Sequence, residues 1–248
     1  MKAPTTPVPG PGRPCVVGTL TQAVTLTAPN LADVCAGDWV EIRLDMVGPE
    51  TPDWLAHARR IEAAGWPVLL TLRLAAEGGQ WQLPDEERIQ LLTAAVQGLT
   101  AIDVEARSPL AVGLCRQAAA LGKTVIVSFH DFSGTPPLSE LQARVDAMRA
   151  FPSAIPKLVT TVKRPGDCET LAALLAANWQ RPLCVLGMGA LGAATRVDLP
   201  ASGSCLTYGF LDAPSAPGQF SARDLVARLR ARLPAYDAAW RVRHEVVT

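Results

Sequence analysis

A lysine stands in the middle of a short apolar run, AIPKLVTTV, at residues 154–162. Runs of this kind, rich in β-branched residues, lie buried in sheets. An ammonium buried there needs a partner, or it gives up its proton. The chain has 23 basic residues, and only Lys2, Lys123, Lys157 and Lys163 are lysines. A chain that otherwise prefers arginine and keeps Lys157 inside a strand is suited to chemistry that a guanidinium cannot perform. A neutral amine is a nucleophile, whereas arginine does not lose its proton. Other reactive residues fall at the ends of neighbouring apolar runs: Glu41, Arg43, Arg73, Glu105 and His130. Arg196 follows a glycine-rich stretch, MGALGAAT. Each alone has a plain structural reading. Glu41 and Arg43 read as an ion pair, Glu105 as a buried structural carboxylate, His130 as a core histidine and Lys157 as a snorkelling amine. Their recurrence at adjacent strand ends points instead to a site.

Such a site needs a scaffold that gathers strand ends. Strand-length apolar runs recur at 15–20, 39–45, 67–73, 101–106, 123–132, 154–162, 181–189 and 204–210. Several are apolar almost throughout, as parallel strands covered on both faces are. Helical patterns lie between them. PDWLAHARRIEAAG (52–65) opens with Pro and closes with Gly, and DEERIQLLTAAVQGL (85–99) begins with acidic residues. Similar patterns lie at 109–122, 138–151 and 169–179, and SARDLVARLRARL (221–233) follows the last strand. The first connection, 21–37, and the seventh, ALGAATRV at 190–197, are poorly patterned. Eight strands with eight connections predict a single α/β domain, a (β/α)8 TIM barrel, over residues 15–248. An open doubly wound sheet is the competing fold, without a nucleotide-binding glycine motif after the first strand. Residues 1–14 hold five prolines and predict an extended, disordered lead-in.

Composition narrows the function. The 248 residues carry a formal net charge of zero, which gives no electrostatic reason to expect nucleic acid or an acidic membrane surface. No apolar run reaches the length of a membrane span, and the N-terminus lacks the apolar core of a signal peptide. The six cysteines, Cys15, Cys35, Cys115, Cys168, Cys184 and Cys205, are scattered without metal-ligand spacing. They read as buried thiols of a cytoplasmic protein.

Five stretches, in order, carry a resemblance. They are EIRLD (41–45), TLRLAAEGG (71–79), SFHDF (128–132) with TP at 135–136, IPK (155–157), and MGALGAATR (188–196) followed by SAPGQ (215–219). Together, over roughly residues 15–235, they resemble the type I 3-dehydroquinate dehydratases, Schiff-base enzymes of the shikimate pathway. The resemblance implies that Lys157 forms an imine with the ketone of 3-dehydroquinate. Burial and nearby arginines would favour the neutral amine needed for attack. His130 would move the proton and Glu77 would orient the imidazole. Arg196 would clamp the substrate carboxylate, and Glu41, Arg43, Arg73, Ser215 and Gln219 would bind its hydroxyls. It implies no metal and no cofactor, and a homodimer. Three positions depart from the family pattern: Phe129, Val159 and Thr195. Two other readings are another class I Schiff-base lyase or aldolase, and a non-catalytic relative that binds a shikimate-pathway ligand.

Overall fold

The structure, a computed structural model, describes residues 8–10, 12–30, 35–178, 180–214 and 219–244. Each apolar run yields one strand. These are β1 (Cys15–Leu20), β2 (Trp39–Arg43), β3 (Val68–Thr71), β4 (Ala101–Glu105), β5 (Thr124–Asp131), β6 (Ala154–Thr161), β7 (Cys184–Met188) and β8 (Leu206–Phe210). All pair in parallel, in the order β7-β6-β5-β4-β3-β2-β1-β8. The two ends of that order meet without a ladder. Ser204 joins them instead: its hydroxyl accepts from Val185 N at 2.9 Å and donates toward Leu206 O at 3.1 Å. One backbone bond, Cys205 N to Leu183 O at 2.9 Å, helps close the ring. The sheet is a nearly closed (β/α)8 barrel, as the strand count predicts.

Alternation along the strands builds two cores. Val17, Trp39, Leu69, Ala101, Ile126 and Cys184 fill the inside of the barrel. Their strand neighbours, such as Ile42, Leu70, Ile102, Val127 and Leu158, pack outward against the helices. Side chains alternate between faces with period two. The inward series of the lower barrel therefore continues to the C-terminal mouth as Thr19, Glu41, Asp103, Ser128 and Lys157. The lower layer is apolar and the upper layer is polar.

Several boundaries differ from the sequence reading. β2 ends at Arg43, and Leu44–Val47 already turns helical. β3 ends at Thr71, so Arg73 stands two residues beyond it. The seventh helix is Thr195–Ala201 rather than 190–197. Gly189 at φ 85° and Gly192, where a Cβ would come within 2.5 Å of Met188 O, keep the preceding residues in tight turns. The helix expected at 169–179 begins at Pro165, and Asp167 accepts the free backbone N–H groups of Lys163 and Arg164. Between β1 and β2 only the single turn Ala23–Leu26 is helical among the described residues. Ser221 caps the helix Ala222–Arg232 by accepting from Asp224 N at 3.0 Å.

One helix lies outside the expected set, Pro234–His244. It packs at the N-terminal end of the strands, where Tyr236 donates to the buried Asp38 at 2.8 Å and Arg243 pairs with the same carboxylate. Within the proline-rich segment, Gly10 and Arg13 exchange backbone hydrogen bonds; residues 1–7 and 11 lie outside the described residues.

Candidate active site

The partner of Lys157 is Asp103. Lys157 Nζ lies 3.1 Å from Asp103 Oδ2, with both side chains buried. Register sets this up: Lys157 stands beside Ser128 of β5, and Asp103 rises one strand further, on β4. The other oxygen of Asp103 accepts from Ser128 at 2.6 Å and from Arg73 at 2.8 Å. Burial pushes the Asp103 carboxyl up, but the adjacent Arg73 and Lys157 charges outweigh it and hold it well below the usual carboxylate range. Arg73 also bonds Glu105 at 2.9 Å, and Glu105 in turn pairs with Arg88. Arg88 is fully buried and reaches the site from the helix Asp85–Gly98. Charges thus alternate along a chain from Arg88 through Glu105, Arg73 and Asp103 to Lys157.

Glu77 and His130 meet across the mouth. Glu77 Oε2 lies 3.0 Å from His130 Nδ1 and also accepts from the His130 backbone N–H at 3.1 Å. Glu77 sits in the tight turn Ala75–Glu77, which ends at Gly78 with φ 77°. Burial pushes the Glu77 carboxyl up to about 7, against the pull of Arg73. Burial, then the Arg73 and Lys157 charges, push the imidazole of His130 well below its ordinary value. The histidine is therefore neutral at neutral pH and able to accept a proton, with Nδ1 occupied by Glu77.

These groups share a pocket at the C-terminal mouth of about 700 Å³, counting the open space above it. Lys157, His130, Glu77, Glu41, Arg43 and Arg73 all line it, and so do Arg196 and Gln219. Ser215 lies outside the described residues. Glu41 is not ion-paired to Arg43. It accepts from Thr19 at 2.8 Å and Thr71 at 2.7 Å, while Arg43 makes a two-point bond with Asp45 at 2.7 and 2.8 Å. Arg73 faces the pocket, but its guanidinium is engaged by Asp103, Glu105 and Ser128. Arg196 differs. It is 9% exposed, it donates to Tyr208 O at 3.0 Å, and no carboxylate of the described residues pairs with it. Asp198, its nearest acidic neighbour in sequence, pairs with Arg232 instead. Burial lowers the Arg196 pKa, the mark of a cation without a counter-ion.

The family model for type I 3-dehydroquinase matches residues 15–233. A 3-dehydroquinate dehydratase of Methanothrix thermoacetophila is 34% identical over 218 residues, covering 88% of this chain and 91% of the relative. The chain belongs to the type I 3-dehydroquinase family. A relative of the same name from Methanosarcina barkeri is 37% identical, covering 74% of this chain and 80% of its own. The crystal structure of 3-dehydroquinate dehydratase from Geobacillus kaustophilus superposes with a TM-score of 0.77 at 26% identity, covering 90% and 92% of the two chains.

The departures from the type I 3-dehydroquinase pattern have local explanations. Phe129 points out of the barrel, between the guanidinium groups of Arg107 and Arg144 at 4.4 and 4.1 Å. It does not touch the pocket. Thr195 accepts from Gly187 N of β7 at 3.0 Å, a task the hydroxyl of serine would share. Val159 lines the pocket with Leu186 and Met188. All six cysteines are free thiols, and Cys184, beside Lys157 in register, is pushed up to about 12 by burial. That thiol does not compete as a nucleophile.

Sequence reading missed Asp103, Ser128, Arg88 and Tyr208. The first two were within reach of a period-two count, because they share a face with Glu105 and Lys157. Arg88 sits on a helix and gave no such signal.

Proposed function

We propose that this chain dehydrates 3-dehydroquinate to 3-dehydroshikimate through an imine on Lys157. The observation that carries the reading is the juxtaposition in one pocket of a buried amine, a neutral histidine held by Glu77 and a cation with no carboxylate partner among the described residues. Lys157 Nζ attacks the ketone carbon, and the ketone oxygen leaves as water. The protonated imine withdraws electrons from the neighbouring C–H bond. His130, with Nδ1 held by Glu77, takes that proton and then returns one to the departing hydroxyl. The electron pair of the broken C–H bond forms the new double bond as the hydroxyl leaves. Hydrolysis of the imine releases product and restores the lysine.

The remaining groups bind. Arg196 receives the substrate carboxylate, whose charge neutralises the buried guanidinium. Glu41, Arg43 and Gln219 face the ring hydroxyls, and the family reading adds Ser215 to them. Arg73 acts from the pocket wall, where it pairs with Asp103 and Glu105 and helps hold Asp103 ionised. Residues 15–248 act as one catalytic unit after the lead-in of residues 1–14. The same family reading gives a cytoplasmic homodimer without nucleic-acid or membrane partners. Among the described residues no helix is long and apolar enough to cross a membrane.

The test is borohydride reduction in the presence of 3-dehydroquinate, followed by peptide mass analysis. The expected adduct is on the peptide containing Lys157. Turnover without any reducible adduct, or an adduct on Lys163, overturns the reading. An aldolase reading predicts carbon–carbon cleavage products instead, and a ligand-binding relative predicts no turnover.

A further inference from the structure

The chain has two tyrosines, and they are treated differently. Tyr236 donates its hydroxyl to Asp38 at 2.8 Å. Tyr208, on β8, is 5% exposed, and its buried hydroxyl has no hydrogen-bond partner among the described residues. Buried phenol groups nearly always find a partner, because leaving one unmade is costly. Tyr208 also lines the pocket, and Lys157 Nζ sits over its ring, 4.0 Å from the centroid. Arg196 holds the Tyr208 backbone carbonyl, which fixes the base of the side chain.

The location narrows what the hydroxyl could meet. The oxygen of a ketone is one bond from the carbon that Nζ attacks. The phenol hydroxyl is carried by the ring over which Nζ sits. Nζ stands 4.0 Å from the centre of that ring, so a ketone bonded to Nζ lies against the Tyr208 side chain. Asp103, Glu41 and Cys184 surround this part of the barrel, and each is either engaged elsewhere or a weak acceptor.

We propose that the Tyr208 hydroxyl donates a hydrogen bond to the substrate's carbonyl oxygen as Lys157 adds to it, which makes Tyr208 a catalytic residue of imine formation. This rests on the Schiff-base reading above. The step is balanced without a further reagent. Nζ forms a bond to carbon and the carbon–oxygen double bond becomes single; the oxygen, held by Tyr208, then takes up the two protons that Nζ loses and leaves as water as the second carbon–nitrogen bond forms. Tyr208 keeps its own proton. Burial raises its pKa well above the ordinary phenol value, so it remains a neutral donor throughout.

Among the described residues the hydroxyl has no partner, and on this proposal it gains one in the reacting complex. Tyr208→Phe should therefore separate stability from rate. In a rapid-quench experiment with borohydride, the variant is expected to form the Lys157 adduct about tenfold more slowly, the worth of one hydrogen bond. Its melting temperature without ligand is expected to stay level or rise. An adduct formed at the wild-type rate overturns the proposal alone. A lowered melting temperature also overturns it, because the hydroxyl would then already have a partner such as a buried water. No adduct in the wild-type chain overturns this proposal and the Schiff-base reading together.

Discussion

The two sides of the pocket are built on opposite principles. On the side of β3 to β6, every charge is answered from within the protein: Arg88, Glu105, Arg73, Asp103 and Lys157 form an alternating chain, and Ser128 fills the remaining positions. On the side of β7 and β8, Arg196 has no carboxylate partner and the Tyr208 hydroxyl has no partner among the described residues. The first side fixes a reactive amine in place before substrate arrives. The second side leaves its polar groups for the ligand to satisfy. On the proposed mechanism, reaction and recognition are thus divided between opposite walls of one barrel.

Substituting on each wall tests the division. The largest loss is expected for Lys157→Arg. It keeps a cation beside Asp103, so folding is expected to survive, while turnover falls to background because a guanidinium forms no imine. Wild-type-like turnover would remove Lys157 from the mechanism. Next come two arginines compared as a pair. Arg73→Met leaves two buried carboxylates short of a cation and is expected to destabilise by about 3–5 kcal/mol. Arg196→Ala should leave the melting temperature level or raised and weaken substrate binding by about 2 kcal/mol or more, read as KM. Equal melting losses in both variants would erase the distinction between the walls.

The smallest effect concerns pH. Glu77 titrates at about 7 in the folded chain, raised from 4.5 by burial. Its ionised form is the one that orients His130, so kcat/KM is expected to fall as pH drops through about 7. Glu77→Gln should lower the rate about 10- to 100-fold at neutral pH and abolish that acid limb. Stability has the opposite sign. Between about pH 4.5 and 7 the folded chain holds a proton on Glu77 that the unfolded chain has lost, so this group's contribution weakens as pH rises. Below its ordinary value of 6.5, His130 works the other way, because the unfolded chain takes up a proton that the folded chain refuses. The Glu77→Gln variant is expected to show the His130 slope alone in pH-dependent melts.

The sequence made the strands legible because parallel strands buried on both faces are apolar runs, and the reactive residues at their ends stood out against them. Lys157 and His130 were found in this way, and Arg196 by the glycine-rich stretch before it. What alternation could have added was Asp103, which sits inside a run whose only flagged residue was Glu105. Arg88 was hidden because a charged residue near the start of an acidic helix reads as solvated surface. The helix Pro234–His244 was hidden because Pro234, directly after the last expected helix, reads as a stop, whereas it opens this helix. Its anchoring depends on Asp38, a distant residue that no local pattern could supply. The seventh helix shifted because glycine turns, rather than periodicity, determine where it starts.

The gap between β7 and β8 gives the reaction a mechanical side. Six strand pairs and the β1–β8 pair are ladders of backbone bonds, whereas this joint has one backbone bond and otherwise rests on bonds made by the side chains of Ser204, Cys184, Arg196 and Thr207. It is the hinge-like seam of an otherwise continuous ring. A substrate bonded covalently to Lys157 on β6 and held by Arg196 beyond β7 would bridge toward β8, where Arg196 grips Tyr208 and Thr207. On the proposed mechanism the covalently held ligand would become a structural member of the wall, a temporary rivet across the seam, and hydrolysis of the imine would release the wall along with the product.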